Sequence, residues 1–264
     1  MDKFIKRTVS GIFLGLTAIL SVLYFPNWLF KLAISSISVL AVWEVASLLK
    51  RKLPRLAPID IAITGFIVSI FYLFVNIYFS ILLILLYAFY IGYKSYNLSN
   101  LLAVVFILVY GGILVSTLGV LFDINKNLLF VLFATVWAGD IFAYLTGKTI
   151  GRKKLAPNLS PSKTVEGAIG GATASIFFGV LVALLLGLKE AIIPIIISAF
   201  IMQIGDLFES FIKRQVKVKD SSNIIPGHGG ILDRIDALIF ASLVFLMFYT
   251  GREPLVKILL NFNH

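Results

Sequence analysis

The chain of 264 residues contains no cysteine, two histidines and thirteen acidic residues, and only 14% of it is charged. The missing cysteine excludes disulfides, thiolate catalysis and cysteine-based zinc sites. The shortage of charge is as informative. A soluble domain carries about a quarter charged residues, and here 59% of residues are hydrophobic with a mean hydropathy of +1.00. A chain of this size cannot hide that much apolar surface in one water-facing core, so its solvent is largely lipid. The formal net charge of +10 would suit nucleic acid in a soluble protein. Its positive residues instead lie between apolar spans, which points to membrane topology and to anionic lipid or nucleotide ligands, with no nucleic acid.

A spanning helix needs about 20 mostly apolar residues. On that measure the sequence predicts an all-α, polytopic transmembrane bundle of about nine spans. They cover residues 8–25, 28–49, 58–76, 78–93, 98–121, 127–148, 164–187, 190–212 and 231–250. Residues 58–93 have little punctuation beyond Asn76 and Tyr78, so two short spans and one long tilted helix both fit. Lys3, Lys6 and Arg7 precede the first apolar stretch, which is longer than a signal-peptide core and lacks a small-x-small cleavage pattern after it. It reads as the first membrane helix. Functionally the chain divides into residues 1–125, for a lipid path, packing or an oligomer interface, and residues 126–264, for the polar site.

Positive charge sets an orientation. With the N-terminus in the cytoplasm, the cytoplasmic segments hold Lys3, Lys6 and Arg7; Lys50, Arg51, Lys52 and Arg55; Lys94; Lys148, Arg152, Lys153, Lys154 and Lys163; and Lys213, Arg214, Lys217 and Lys219. The other side holds only Lys31, Lys126, Lys189, Arg252 and Lys257. The two longest loops, 149–163 and 213–230, then face the cytoplasm, where nucleotides are found.

The acids crowd into the second half: Asp140, Glu166, Glu190, Asp206, Glu209, Asp220, Asp233 and Asp236. A carboxylate within a span costs at least ~2.5 kcal/mol and marks a functional site by default. A helix-end residue reaching the interface accounts for Glu190, Glu44 and Asp60. It fits Asp140 and Asp206 poorly, since both have apolar neighbours on either side. Asp206, Glu209 and Lys213 share one helix face, either as a salt-bridge stripe or as a carboxylate site with bases above it. Pro226-Gly227-His228-Gly229-Gly230 then allows tight backbone angles and close approach to a ligand. Asp233 and Asp236, three apart and flanking Arg234, open the last span. A helix cap explains one of them; paired carboxylates facing a third from a neighbouring helix suit Mg²⁺.

Two further stretches stand out. Ser160-Pro161-Ser162-Lys163-Thr164-Val165-Glu166-Gly167 starts a helix, and its hydroxyls, lysine and free N–H groups also form a phosphate cradle. It is not a Walker A loop, because the glycines before the lysine are absent. Gly167, Gly171 and Ser175 recur every fourth position, which serves close helix packing; such faces also permit a homodimer. Asp140, Tyr144 and Gly147 share a helix face, with Tyr144 doubling as an interfacial aromatic.

From Ser210 to Asp236 the chain resembles the phosphatidate cytidylyltransferases, or CDP-diacylglycerol synthases. The resemblance rests on Ser210, Lys213, Arg214, Lys219, Asp220, His228-Gly229-Gly230, Asp233, Arg234 and Asp236, at matching spacing throughout. The stretches 160–167 and 140–147 also resemble family motifs, whereas residues 1 to about 135 offer only hydropathy. The resemblance implies that CTP and phosphatidic acid give CDP-diacylglycerol and pyrophosphate with Mg²⁺, with or without a second cation, at an inner-membrane site facing the cytoplasm. It implies Asp206, Asp233 and Asp236 as cation ligands, with Asp140 joining them or orienting one. Lys163, with Ser160, Ser162 and Thr164, would hold CTP phosphates. Lys213, Arg214, Lys219 and Arg234 would bind the phosphatidate head group or the leaving pyrophosphate, His228 would donate to a phosphate oxygen, and Asp220 would orient Lys219. A CTP-dependent polyprenol kinase would share such a site but release CDP. The CDP-alcohol phosphatidyltransferases use an acidic motif in an order this sequence lacks. A transporter would more often show paired repeats.

Overall fold

The computed structural model describes residues 3–225 and 229–250, with side chains from Ser10 onward. Nine helical runs account for nearly all of it. They are α1 (Lys3–Tyr24), α2 (Asn27–Lys50), α3 (Pro58–Phe74), α4 (Ile77–Ser95), a run made of α5 (Leu98–Ile107), a π-helical turn (Leu108–Ile113) and α6 (Leu114–Asn125), then α7 (Asn127–Thr149), α8 (Val165–Leu185), α9 (Ile192–Gln215) and α10 (Leu232–Tyr249). The expected all-α polytopic membrane fold is what the chain adopts. Six of these runs are long and apolar enough to cross a membrane. The start of α10 carries Asp233, Arg234 and Asp236, so its 18 residues hold three charges.

Local chemistry sets the helix ends. Residues 58–93 form two helices, because the chain breaks at Val75 and Asn76 caps α4 through a bond from the Tyr78 amide to its side-chain oxygen (2.8 Å). Asn97 caps α5 in the same way. The loop expected at 149–163 holds a small antiparallel hairpin, β1 (Lys154–Ala156) with β2 (Ser160–Thr164).

The chain divides into two compact units, residues 1–120 with 212–235, and residues 121–211 with 236–264. Residues 212–235 therefore group with the N-terminal helices, whereas a division of the sequence at 125 assigns them to the C-terminal part. In the first unit, buried hydroxyls tie helices α2, α3, α4 and the α5–α6 run together. Ser69 Oγ donates to Ser35 Oγ (3.0 Å) and lies 2.7 Å from Ser116 Oγ, Ser38 donates to the Gly111 carbonyl (2.9 Å), and Ser80 donates to the Val68 carbonyl (2.8 Å). Each hydroxyl is buried with its partner, as an apolar solvent demands. In the second unit α7 and α8 lie against each other along a glycine seam. A Cβ on Gly171 would stand 2.8 Å from Ala143 Cβ and 2.9 Å from the Gly139 carbonyl, and one on Gly167 would stand 2.8 Å from the Ala143 carbonyl. The small-residue face is thus used within the chain, and it lends no support to a homodimer. Large apolar side chains left exposed, such as Leu85 and Phe89 on α4 and Phe177 and Leu185 on α8, suit a hydrocarbon solvent.

Candidate active site

In the second unit, β2 delivers Lys163 and α9 delivers Asp206, and the two form an ion pair. Both are partly exposed, 27% and 34% by side chain. Ser160 is half-buried and Ser162 exposed on the same strand. Thr164 is buried, and its hydroxyl accepts from the Gly167 amide (3.1 Å) as the N-cap of α8. Glu166, in the first turn, accepts from the amides of Arg152 (3.0 Å) and Lys153 (3.2 Å) and so anchors the approach to the hairpin. The helix-start reading of this stretch holds for Thr164; Lys163 stands outside it, next to a carboxylate.

Gly205 lets α9 approach α10 closely, since a Cβ there would stand 2.8 Å from the Asp236 carbonyl and 2.8 Å from the Phe240 ring. The α9 segment bearing Asp206 therefore lies against the α10 segment bearing Asp236. Asp236 Oδ1 accepts from the Ala237 amide (2.9 Å). Asp140 is exposed on α7, and Tyr144, 65% exposed, has the Lys148 ammonium 5.6 Å from its ring centre.

In the first unit, α9 ends in a Schellman turn. Val218 N donates to the Lys213 carbonyl (3.0 Å) and Lys217 N to the Arg214 carbonyl (3.1 Å), with Lys217 at a φ of +58°. Arg214 folds back onto the Val218 carbonyl (2.5 Å). Lys213 is buried and donates to Asp233 Oδ1 (2.5 Å). The other oxygen, Oδ2, accepts from Ser221 N (2.9 Å), Ser221 Oγ (2.9 Å) and Gly230 N (2.8 Å). Asp233, expected to ligate a cation, here holds the loop, and Lys213, expected at a phosphate, here pairs with it. Lys219, Asp220 and Arg234 are exposed. His228 lies outside the described residues.

Glu44 corrects the sequence reading. It was expected to be a helix-end residue reaching the interface, yet it is fully buried on α2, at 0% exposure. Its Oε1 accepts from Ser222 Oγ (2.6 Å) and Ile231 N (2.9 Å), and its Oε2 from Ser221 Oγ (2.8 Å) and Leu232 N (2.8 Å). It therefore satisfies the first amides of α10, which no residue within that helix can do. The available signal was an acid in an apolar span, and setting it aside as a helix-end residue missed it.

Among the described residues no three carboxylates or histidines gather to hold a metal. Mg²⁺ commonly takes one or two carboxylates and completes its shell with water and substrate phosphates. Asp206 and Asp236, two hard-oxygen donors on adjoining helix segments, fit that smaller demand.

The chain matches the sequence profile of the cytidylyltransferase family over residues 5–251. It belongs to that family. Among its relatives, the phosphatidate cytidylyltransferase of Aquifex aeolicus is 32% identical over 263 residues, 96% of this chain and 93% of that protein. The Brucella abortus protein of the same name is 48% identical over 121 residues, and the chain spans only 44% of that relative's length. The one from Bacillus subtilis is 43% identical over 117 residues, 43% of each chain. Family membership accounts for a signature of charged residues at the membrane; the geometry above distinguishes those that hold the loop from those left accessible.

Proposed function

We propose that this cytidylyltransferase-family protein converts CTP and phosphatidic acid into CDP-diacylglycerol and pyrophosphate. The observation that carries the reading is the Aquifex aeolicus relative, similar over 96% of this chain and itself named phosphatidate cytidylyltransferase. A phosphate oxygen of the lipid attacks the α-phosphorus of CTP, the bond to the β-phosphate oxygen breaks, and pyrophosphate leaves with that electron pair. Both reactants are anionic, so the protein must offset their repulsion and hold them in line.

Lys163 exchanges Asp206 for a CTP phosphate, with Ser160 and Ser162 beside it. Thr164 contributes indirectly by capping α8. Lys219 and Arg234, both exposed, take the lipid phosphate or the leaving pyrophosphate, with Asp220 orienting Lys219 and His228 donating to a phosphate oxygen. Lys213 and Arg214 shape the turn that presents Lys219. Asp206 and Asp236 would hold Mg²⁺, with Asp140 orienting one of them; when bound, the cation supplies charge neutralisation at the phosphates. The basic loops support an active site on the cytoplasmic face of the inner membrane, where CTP is available. The test is purified protein with α-labelled CTP and phosphatidic acid. Label in the lipid phase with one pyrophosphate per lipid, lost on adding EDTA, supports the reading. No lipid label from folded protein with added Mg²⁺ refutes it, and release of CDP onto a polyprenol would identify a kinase.

A further inference from the structure

Glu44 lies outside every stretch that carries the family resemblance, and the chemistry proposed above does not call on it. A carboxylate buried among apolar helices persists only where its lone pairs meet donors. Glu44 meets four: the hydroxyls of Ser221 and Ser222 and the amides of Ile231 and Leu232. These donors belong to the two ends of one loop, and the carboxylate ties both ends to α2. The adjoining backbone is shaped around it. A Cβ on Gly230 would collide with both Glu44 oxygens and with Ser221 Oγ, so the second glycine of the His-Gly-Gly motif is the one that makes room for Glu44. Gly229 has a different reason, a φ of +84°. The Ser221 hydroxyl lies within reach of both Glu44 Oε2 (2.8 Å) and Asp233 Oδ2 (2.9 Å). Its single proton serves one of them at a time and couples the two acids.

We propose that Glu44 is a positioning residue for the phosphate-handling loop: it fixes residues 219–225 and 229–234, and with them the placement of Lys219, Asp220 and Arg234. A glutamine cannot substitute. Serine hydroxyls can rotate to accept from an amide, but Ile231 and Leu232 offer backbone N–H groups that cannot. Either orientation of the glutamine therefore sets an NH₂ against a backbone donor.

The kinetic arm of the test rests on the cytidylyltransferase reading; the exchange arm does not. Full-length wild type, Glu44→Gln and Gly230→Ala are compared in detergent by hydrogen exchange and by steady-state kinetics. Gly230→Ala keeps the buried carboxylate but displaces its oxygens, so it reports even if the charge change prevents folding. Both variants should exchange at least about tenfold faster over 219–225 and 229–234, while α7 and α8 exchange as in wild type. Turnover should fall by up to about 100-fold. The apparent KM for phosphatidate should rise about tenfold, the loss of roughly one charged hydrogen bond, with the KM for CTP within about twofold. Loss of active protein alone, with both KM values unchanged and exchange raised throughout, would overturn the proposal, as would unchanged exchange at the loop. A wild type inactive on phosphatidate with the local exchange pattern intact would defeat the functional reading and leave the role of Glu44 standing.

Discussion

Replacing Lys213 by methionine removes the positive charge that faces Asp233 across 2.5 Å, in a pair whose side chains are 9% and 6% exposed. Breaking a buried ion pair from one side typically costs about 3–5 kcal/mol, because the remaining charge has no counter-ion. Asp233 keeps two backbone donors, Ser221 N and Gly230 N, and shares the Ser221 hydroxyl proton with Glu44, which sets the cost at the low end. About 3 kcal/mol corresponds to roughly a 150-fold shift in the folding equilibrium. Asp233→Asn should cost a similar amount, since its amide turns a donor towards those same donors or towards Lys213. If the two sites were independent, the double variant would lose about 6 kcal/mol. With the pair acting as one unit it should lose about 4 kcal/mol, because the second substitution removes a charge already left alone. Denaturant titration in mild detergent, followed by far-ultraviolet circular dichroism, reads all three. A Lys213→Met cost below about 1 kcal/mol, or a double variant equal to the sum of the singles, would refute a buried and coupled pair.

Two further outcomes follow from the second unit. Gly171→Leu should lower stability by about 1–3 kcal/mol or more, because its Cβ alone would press on Ala143 and the Gly139 carbonyl; unfolding midpoints matching wild type would mean the α7–α8 seam is looser than its geometry. Lys163→Ala should raise the KM for CTP about tenfold or more, by loss of a charged phosphate contact, and should leave the KM for phosphatidate nearly unchanged. The reverse pattern would move Lys163 to the lipid phosphate.

The helices were legible in the sequence because membrane spans depend on a local property, a run of about 20 apolar residues. The break that makes two helices of 58–93 was legible only as Asn76, whose cap settles it once the backbone is seen. The hairpin at 154–164 was not legible, since its register depends on a turn and on Glu166 gripping the amides of Arg152 and Lys153 from the next helix. The site was half legible. Asp206 stood out by its apolar neighbours, and Thr164 by its place before a helix. The pairing of Asp233 with Asp236 was legible because their spacing is local. The hydrogen-bond partners of Asp233, Lys213 and Ser221, were not, being 20 and 12 residues away. Glu44 was hidden most completely, for its donors lie 177 to 188 residues along the chain and nothing near position 44 announces them.

That separation has a consequence for biosynthesis. At about 5–20 residues per second, α2 is made roughly 10–35 s before Ser221 leaves the ribosome, with its acid already threaded towards the membrane. During that interval the N-terminal helices hold a carboxylate whose protein donors do not yet exist. The nascent helix must keep Glu44 near water or headgroups and bury it only when residues 221–232 arrive. The first unit therefore cannot finish assembling in the order in which it is translated, and release of a shortened chain ending before Ser221 would leave an unmatched charge for membrane quality control to detect.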